Sequence, residues 1–473
     1  MRWNLDRFYP QAVADREWRQ DKERAISFVV QGEFEQAEEL LSFLWTYAYA
    51  RYCLNTKDKL WKHRLNEVEE IEEKITVQAE EESDQKVEDA IQRQAEMIQE
   101  IYKIRFSGLT VFQASTSPHS EIRREAREYL TQQYAAKKER FAELLIQICH
   151  DKFPTDPHYL KARQQMLDAL PLLQTYLGEL VQASGKTKIH WTDLSFLFES
   201  EMNDWDSTYS LEQTRSLMGD LHSFFGETLS HLLVNGCLET SEAPHKLQSG
   251  FAMPVAFHHE PLCYLHSVRG KEGALGLLHE LSHGLHFWAY RDQEKNYLLP
   301  DVSVVEIFPM TIELVALHKW EGRISYLQRI LSFTLFQFLK VEFKYQIHEK
   351  RVQTLEEIQC IWDDLIEMIF GRHLEFERGT NLSWCGSRLV WQEAEVGQRY
   401  ICGSVAAWNL SKSILDAGKP VLDRVVQTLM LPPSCDLQAW NESLNIDLLG
   451  SLTRSVGNER TIHDHHLLHR TDS

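Results

Sequence analysis

Apolar residues recur at helical spacing along most of this chain, and few breakers interrupt them: 21 Gly and 13 Pro among 473 residues. Residues 33–106 contain neither, and Leu40, Leu41, Leu44, Tyr47, Ala48 and Tyr52 recur there at helical intervals, the stripe of an amphipathic helix. The acidic stretch 67–84, with Lys74 inside it, reads as the solvated face of a long helix. Ser117-Pro118 predicts a helix start, serine as cap and proline at the first helical position, running through 121–148 until Pro154 and Pro157 break it. A helical pair is expected over 158–184 and an extended piece over 186–191. Helix resumes over 210–234, opened by Ser210-Leu211-Glu212-Gln213. Residues 250–270 change character. There 251–257 and 261–268, bounded by Gly and Pro, are the best strand candidates. Beyond Gly270 the pattern is again helical to the end. No repeat and no low-complexity tract is present. The expectation is a mainly α protein with one small β-sheet near its middle.

Composition narrows the class. A hydrophobic fraction of 43% and a charged fraction of 25% are ordinary for a globular protein, and a chain of this length buries a core without staples. Its 50 basic and 70 acidic residues give a net charge of -20. Such a surface repels phosphate backbones, so no nucleic-acid partner is expected. The N-terminus lacks the apolar stretch of a secretory signal, and no run reaches the ~18 apolar residues of a membrane span. Eight cysteines are scattered without C-x-x-C pairs, as reduced, mostly buried thiols in a cytoplasmic protein would be. The tail 459–473 carries His463, His465, His466 and His469. It reads as a flexible end rather than a metal site.

The chemistry is concentrated in His279-Glu280-Leu281-Ser282-His283. On a helix, residues four apart stack on one face, so the two imidazoles can share one Zn²⁺. Glu280 would project beside the metal and could accept a proton from bound water. The plain alternative is a pair of core histidines satisfied by neighbours. Burying two imidazoles and a carboxylate without partners costs several kcal/mol, however, which favours a metal. A catalytic zinc needs a third protein ligand and one open position. Glu306 and Glu313, seven apart and hence on one face of a second helix, are the candidates. Ser303-x-x-Glu306 also fits a capping box, in which the glutamate would only hold a helix start. Glu306 is taken as the ligand, with Glu313 hydrogen-bonding a ligand imidazole from behind. His286 shares the histidine face and either joins that outer layer or packs.

His279-Glu280-Leu281-Ser282-His283-Gly284-Leu285-His286, followed by Glu306-Ile307 and Glu313, resembles the thimet oligopeptidase / oligoendopeptidase F family of zinc metallopeptidases. Its members carry H-E-L-G-H-x-x-H and later E-V-x-S-x-x-x-E. Trp3-Asn4-Leu5-Asp6-Arg7-Phe8-Tyr9-Pro10 is similar to the family's W-D-L-x-x-L-Y-P start, and Tyr400-Ile401-Cys402-Gly403 to its Y-A-T-G. The resemblance implies a zincin-like multi-helix fold enclosing a deep cleft, with the small sheet just before the zinc helix. It implies an N-terminal helical region, 1–185, as one wall of the cleft, and a catalytic region, 186–458. It further implies one Zn²⁺ per chain on His279, His283 and Glu306, Glu280 as general base, and Tyr400 as donor to the oxyanion. Short unstructured peptides are the implied substrates. Their backbone would pair with an edge strand around 262–267, placing Leu262, Tyr264 and His266 at the substrate.

The chain departs from the family in several places. Ser282 replaces a glycine, and Pro309 stands at or beside a family serine, where it would kink the second helix. No histidine stands near Val390-Trp391, where the family has one. The nearest, His373, is 27 residues before Tyr400, and Val396 and Gln398 replace further tyrosines. The N-terminal part is about a hundred residues shorter than usual in the family. Two rival readings follow: a carboxypeptidase-type zinc peptidase, whose H-E-S-Q-S is absent here, and a catalytically weakened peptide-binding homologue. Peptide preference and oligomeric state are not encoded in these motifs.

Overall fold

The computed structural model describes residues 1–11, 13–76, 83–106, 108–115, 120–151, 157–194, 207–243, 245–247, 249–268, 270–321, 323–391 and 394–452. The chain folds as two compact units that interleave in sequence. One comprises Met1–Glu80, Glu201–Ala316 and Leu410–Asp447; the other comprises Glu81–Ser200, Leu317–Asn409 and Leu448–Ser473. The expected single division after residue 185 does not follow these units: residues 1–185 contribute to both.

The first unit begins with three helices, α1 (Ala14–Gln31), α2 (Phe34–Leu54) and α3 (Lys59–Thr76). Helix α1 stops at Gly32, whose φ of 77° is open to glycine at little cost and lets its N–H reach the carbonyls of Phe28 and Val29. Trp18 is fully buried beneath α2, with the Arg64 guanidinium 4.7 Å from its ring centre. The buried face of α2, including Leu41, Leu44 and Tyr47, is continuous with Val255, Ala256, Leu262 and Tyr264 in one apolar core.

That core rests on a three-stranded sheet. Strand β1 (Leu238–Glu239) runs parallel to β3 (Leu262–Leu265), and β2 (Gly250–Met253) runs antiparallel to it, so the order is β1-β3-β2. The register pairs Leu238 with Cys263, Gly250 with Leu265 and Met253 with Leu262. The N-terminal segment locks onto it. The Trp3 indole N–H donates to the carbonyls of Cys237 (3.1 Å) and Cys263 (2.9 Å), and the Trp3 backbone N–H donates to Glu239 Oε2 at 3.1 Å. Glu239 in turn pairs with the buried Lys246 ammonium at 2.7 Å.

Helices α4 (Ser207–Leu221), α5 (Ser223–Val234), α6 (Gly270–Ala289) and α7 (Ile307–Glu321) follow, and α8 (Lys419–Leu429) and α9 (Leu437–Leu444) complete the unit. Helix α6 lies directly on the sheet because two of its positions lack side chains. A Cβ on Gly284 would stand 2.5 Å from Cys263 Sγ, and one on Gly273 would stand 2.5 Å from the Val268 carbonyl carbon. Ser210 lies inside α4 rather than capping it, and its hydroxyl donates to the Val268 carbonyl at 3.1 Å.

The second unit is built from helices Ser83–Tyr102, Ser120–Ala135, Lys138–Asp151, Pro157–Ala183, Arg323–Glu349 and Leu355–Phe370. The helix Ala394–Ala417, shorter helical pieces and two two-stranded pairs join them. Ile189–His190, inside the expected extended piece, pairs in parallel with Leu374–Glu375. The expected helical pair over 158–184 is one helix that tolerates Pro171 in its interior. Two charge pairs tie distant segments of this unit: Arg123 pairs with Asp193 at 2.9 Å, and Arg163 clasps Glu342 through two bonds of 2.6 and 2.7 Å. The Ser117-Pro118 helix start, the break at Pro154, part of the acidic stretch and the histidine-rich tail lie outside the described residues. Among the described residues no helix is long and apolar enough to cross a membrane.

Two stability predictions follow. Trp3→Ala removes both the packing and the two carbonyl bonds, and should lower unfolding free energy by about 3–5 kcal/mol in a denaturant titration. Glu239 is pushed up by burial, but the bonds from Lys246 and Ser241 outweigh this and hold its carboxyl below the usual range. Its stabilisation is therefore complete above the unfolded value of about 4.3 and is lost as pH falls through the lower folded value. Glu239→Gln should accordingly flatten the acid limb of a stability–pH curve.

Candidate metal centre

Helix α6 buries Leu275, Leu277, Leu278, Leu281 and Leu285, which fixes its rotation and turns the opposite groups toward α7. His279 and His283, one turn apart, bring their Nε2 atoms to 3.2 Å. Glu306 Oε2 lies 3.4 Å from His279 Nε2 and 3.6 Å from His283 Nε2. These three atoms form a nearly equilateral triangle. Ligand atoms bound tetrahedrally at ~2.0–2.1 Å stand about 3.4 Å apart, so the triangle has the size of one face of a zinc coordination shell. Oε2 of Glu306 is buried, and no donor hydrogen-bonds it among the described residues. An orphaned buried carboxylate oxygen is costly unless a cation meets it. The donor set thus fits a divalent ion.

Glu306 reaches this point because it sits at the start of α7, where its backbone carbonyl accepts from the Met310 N–H at 3.2 Å. The capping-box alternative is not formed. The Ser303 hydroxyl instead donates to Asp301 Oδ1 at 2.5 Å and accepts from the Leu437 N–H at 3.1 Å. Pro309 stands in the first turn of α7, where its missing N–H has no helical partner to lose, so the expected kink does not arise. Behind the triangle, His279 Nδ1 lies 2.6 Å from Glu313 Oε1. A proton held there by Glu313 leaves Nε2 as the inward-facing lone pair.

The electrostatics are those of a cation site. Burial pushes the Glu306 carboxyl up, but the two imidazoles outweigh it and hold the carboxyl far below the usual range. Burial pushes the His279 imidazole down, but Glu306 and Glu313 outweigh it and carry it well above the usual histidine value. The negative field that retains a proton on this cluster is the field that would retain a divalent ion in the proton's place.

Glu280 is buried and lies within the electrostatic reach of His279, Glu306 and Glu313. Its carboxyl is pushed up to about 7, first by burial and then by the charges of Glu306 and Glu313, with His279 opposing. Its Oε1 lies 2.9 Å from where a Cβ on Gly250 would be. Strand β2 therefore makes room for this carboxylate by presenting a glycine. Gly250 was not legible as a site residue, because no local spacing links it to α6. Ser282, in place of the family glycine, is accommodated by donating to the Leu278 carbonyl at 2.7 Å.

Other expected site residues have different places. His286 packs: its ring lies edge-on to Tyr290 and against Trp440, each with centroids 5.4 Å apart, and burial pushes it down to about 3. Strand β3 is central rather than an edge, because β1 and β2 occupy both its sides. It cannot receive a substrate backbone. Leu262 and Tyr264 are core residues, the tyrosine hydroxyl donating to the Leu247 carbonyl at 2.6 Å. His266 lies just past the strand, its backbone N–H bonded to the Ser249 carbonyl at 3.0 Å. Tyr400 belongs to the second unit, half-buried on the helix Ala394–Ala417, and its backbone carbonyl accepts from Ser404.

Comparison with known proteins gives a consistent fold. A solved PZ peptidase A, determined with an inhibitor, superposes with a TM-score of 0.73 at 15% identity over 98% of this chain and 98% of its own. The fold is shared. An oligoendopeptidase-F from Enterococcus faecium superposes with a TM-score of 0.54 at 13% identity over 95% of this chain and 89% of its own. In sequence, the chain is 24% identical over 280 residues to the oligopeptidase PepF of Bacillus subtilis (strain 168), covering 55% of this chain and 41% of that protein. The matched part is thus less than half of that relative. No protein-family model matches the chain.

The centre predicts its own metal dependence. One equivalent of zinc should bind, Glu306→Gln should weaken binding at least 100-fold, and Glu313→Gln by about 10–100-fold. Competition against a chromogenic chelator measures all three.

Proposed function

We propose that this protein is a zinc-dependent oligoendopeptidase that hydrolyses peptide bonds within short, unstructured peptides. The observation that carries the reading is the triangle of His279, His283 and Glu306 with Glu280 beside it. Resemblance in the motifs and similarity in fold to peptidases support it. Zinc held by these three groups would supply a Lewis acid that lowers the pKa of water and polarises a carbonyl. The Glu280 carboxylate, adjacent in sequence to a ligand and held near neutrality by burial, takes the proton of the attacking water and returns it to the leaving amine. Gly250 leaves room for that carboxylate against strand β2. A substrate backbone would add along β2, whose second edge has no strand partner among the described residues. Such pairing gives affinity through the main chain and little sequence preference. Tyr400 is assigned the oxyanion on the motif alone. Cytoplasmic location and the absence of nucleic-acid partners belong to the same proposal.

Fragment mapping on a mixed peptide library tests the reading. Internal fragments are expected, whereas release of single C-terminal residues would instead identify a carboxypeptidase. Glu280→Gln should lower kcat about 10²–10⁴-fold while zinc stays bound. Equal and negligible turnover in both proteins, each zinc-loaded, would overturn the hydrolase assignment in favour of a peptide-binding protein.

A further inference from the structure

The second unit contains a cavity of about 500 Å³, a volume that suits a ligand of drug-like size. It lies among the helices Ser83–Tyr102, Ser120–Ala135 and Arg323–Glu349 and the segment around Ser383–Gly386. Trp191, Phe336 and Trp362 give it aromatic walls, and Lys340 and Arg127 both line it. Among the described residues that line it there is no aspartate or glutamate.

Its polar groups are partly unanswered. Arg127 is anchored to the main chain, its guanidinium donating to the carbonyls of Ser115 and Thr192. Among the described residues neither a carboxylate nor a hydrogen-bond acceptor meets the Lys340 ammonium, and burial alone lowers its pKa. An unpaired ammonium in such surroundings is expensive, whereas one met by an anion is not. Lys340 and Phe336, four residues apart, stand on one face of a single helix, so a charge and an aromatic wall are presented together.

We propose that this cavity binds a monocarboxylate bearing an apolar aromatic side group, chemistry that N-acyl amino acids and peptide C-termini share. The carboxylate meets Lys340, and the side group lies between the aromatic walls. Arg127 spends donors on two carbonyls, whereas the Lys340 ammonium meets no acceptor among the described residues, and one carboxylate suffices to answer it. The site belongs to the second unit and does not depend on hydrolysis at the metal centre.

Isothermal titration of the full chain with N-acetyl-phenylalanine and with its carboxamide tests this. The acid should bind one-to-one and the amide at least tenfold more weakly. Lys340→Met should lose acid binding at least tenfold and melt higher than wild type without ligand, while Lys340→Arg retains binding. Ser332→Trp, which fills the cavity from the same helix, provides a second variant that should abolish binding. A tetrapeptide, acetyl-Ala-Ala-Ala-Phe, titrated into the Glu280→Gln protein separates the two sources. Tighter binding than N-acetyl-phenylalanine identifies a peptide end, and equal or weaker binding identifies a free N-acyl amino acid. No binding of the acid to wild type, equal affinity for acid and amide, or unchanged binding in both Lys340→Met and Ser332→Trp would overturn the proposal.

Discussion

A carboxylate oxygen taken out of water without a donor has to be answered by positive charge, and the first unit is arranged around that demand at Glu306 Oε2. Two imidazole nitrogens approach it from one face of α6, at 3.4 and 3.6 Å. Neither distance makes a good hydrogen bond, but both suit groups that share a third partner. The surroundings serve this convergence. The leucine face of α6 fixes its rotation against the sheet, and the two glycines let the helix lie close. Glu313 holds one ring in place from behind, and burial raises every electrostatic term at the centre.

Much of this was legible because it is local. Four-residue spacing on a helix places His279 and His283 together whatever the rest of the fold does, and a seven-residue interval does the same for Glu306 and Glu313. The strands around 250–253 and 262–265 could be read from their Gly and Pro boundaries for the same reason. Strand order could not. Whether 262–265 lies at an edge or in the middle depends on β1, which is separated from it by some twenty residues and pairs in parallel. The expected edge position of Leu262 and Tyr264 is corrected by that order, which places their strand in the middle. Gly250 stayed hidden likewise, since its significance arises only once β2 is laid against Glu280.

Capping chemistry shows the opposite limit. Ser303-x-x-Glu306 satisfies the capping pattern in sequence, yet the serine hydroxyl is occupied by Asp301 and by the Leu437 N–H, a partner 134 residues away. Thr354 and Glu357 satisfy the same pattern and do form the reciprocal bonds. The two cases differ in what competes for the hydroxyl, which is a tertiary matter.

The interleaving of the two units has a consequence for how the chain acquires its structure. Each unit is assembled from three separated stretches, and the first is closed by Leu410–Asp447. In a chain emerging from the ribosome, α1–α3 can pack on one another at once, but the apolar core they share is completed only when residues 253–264 and Tyr297 arrive. Long loop closures of this kind slow folding and lengthen the exposure of sticky surfaces. Neither half of the sequence, cut at its midpoint, contains a complete unit. A fragment taken from either half therefore lacks part of the unit it would need to fold alone.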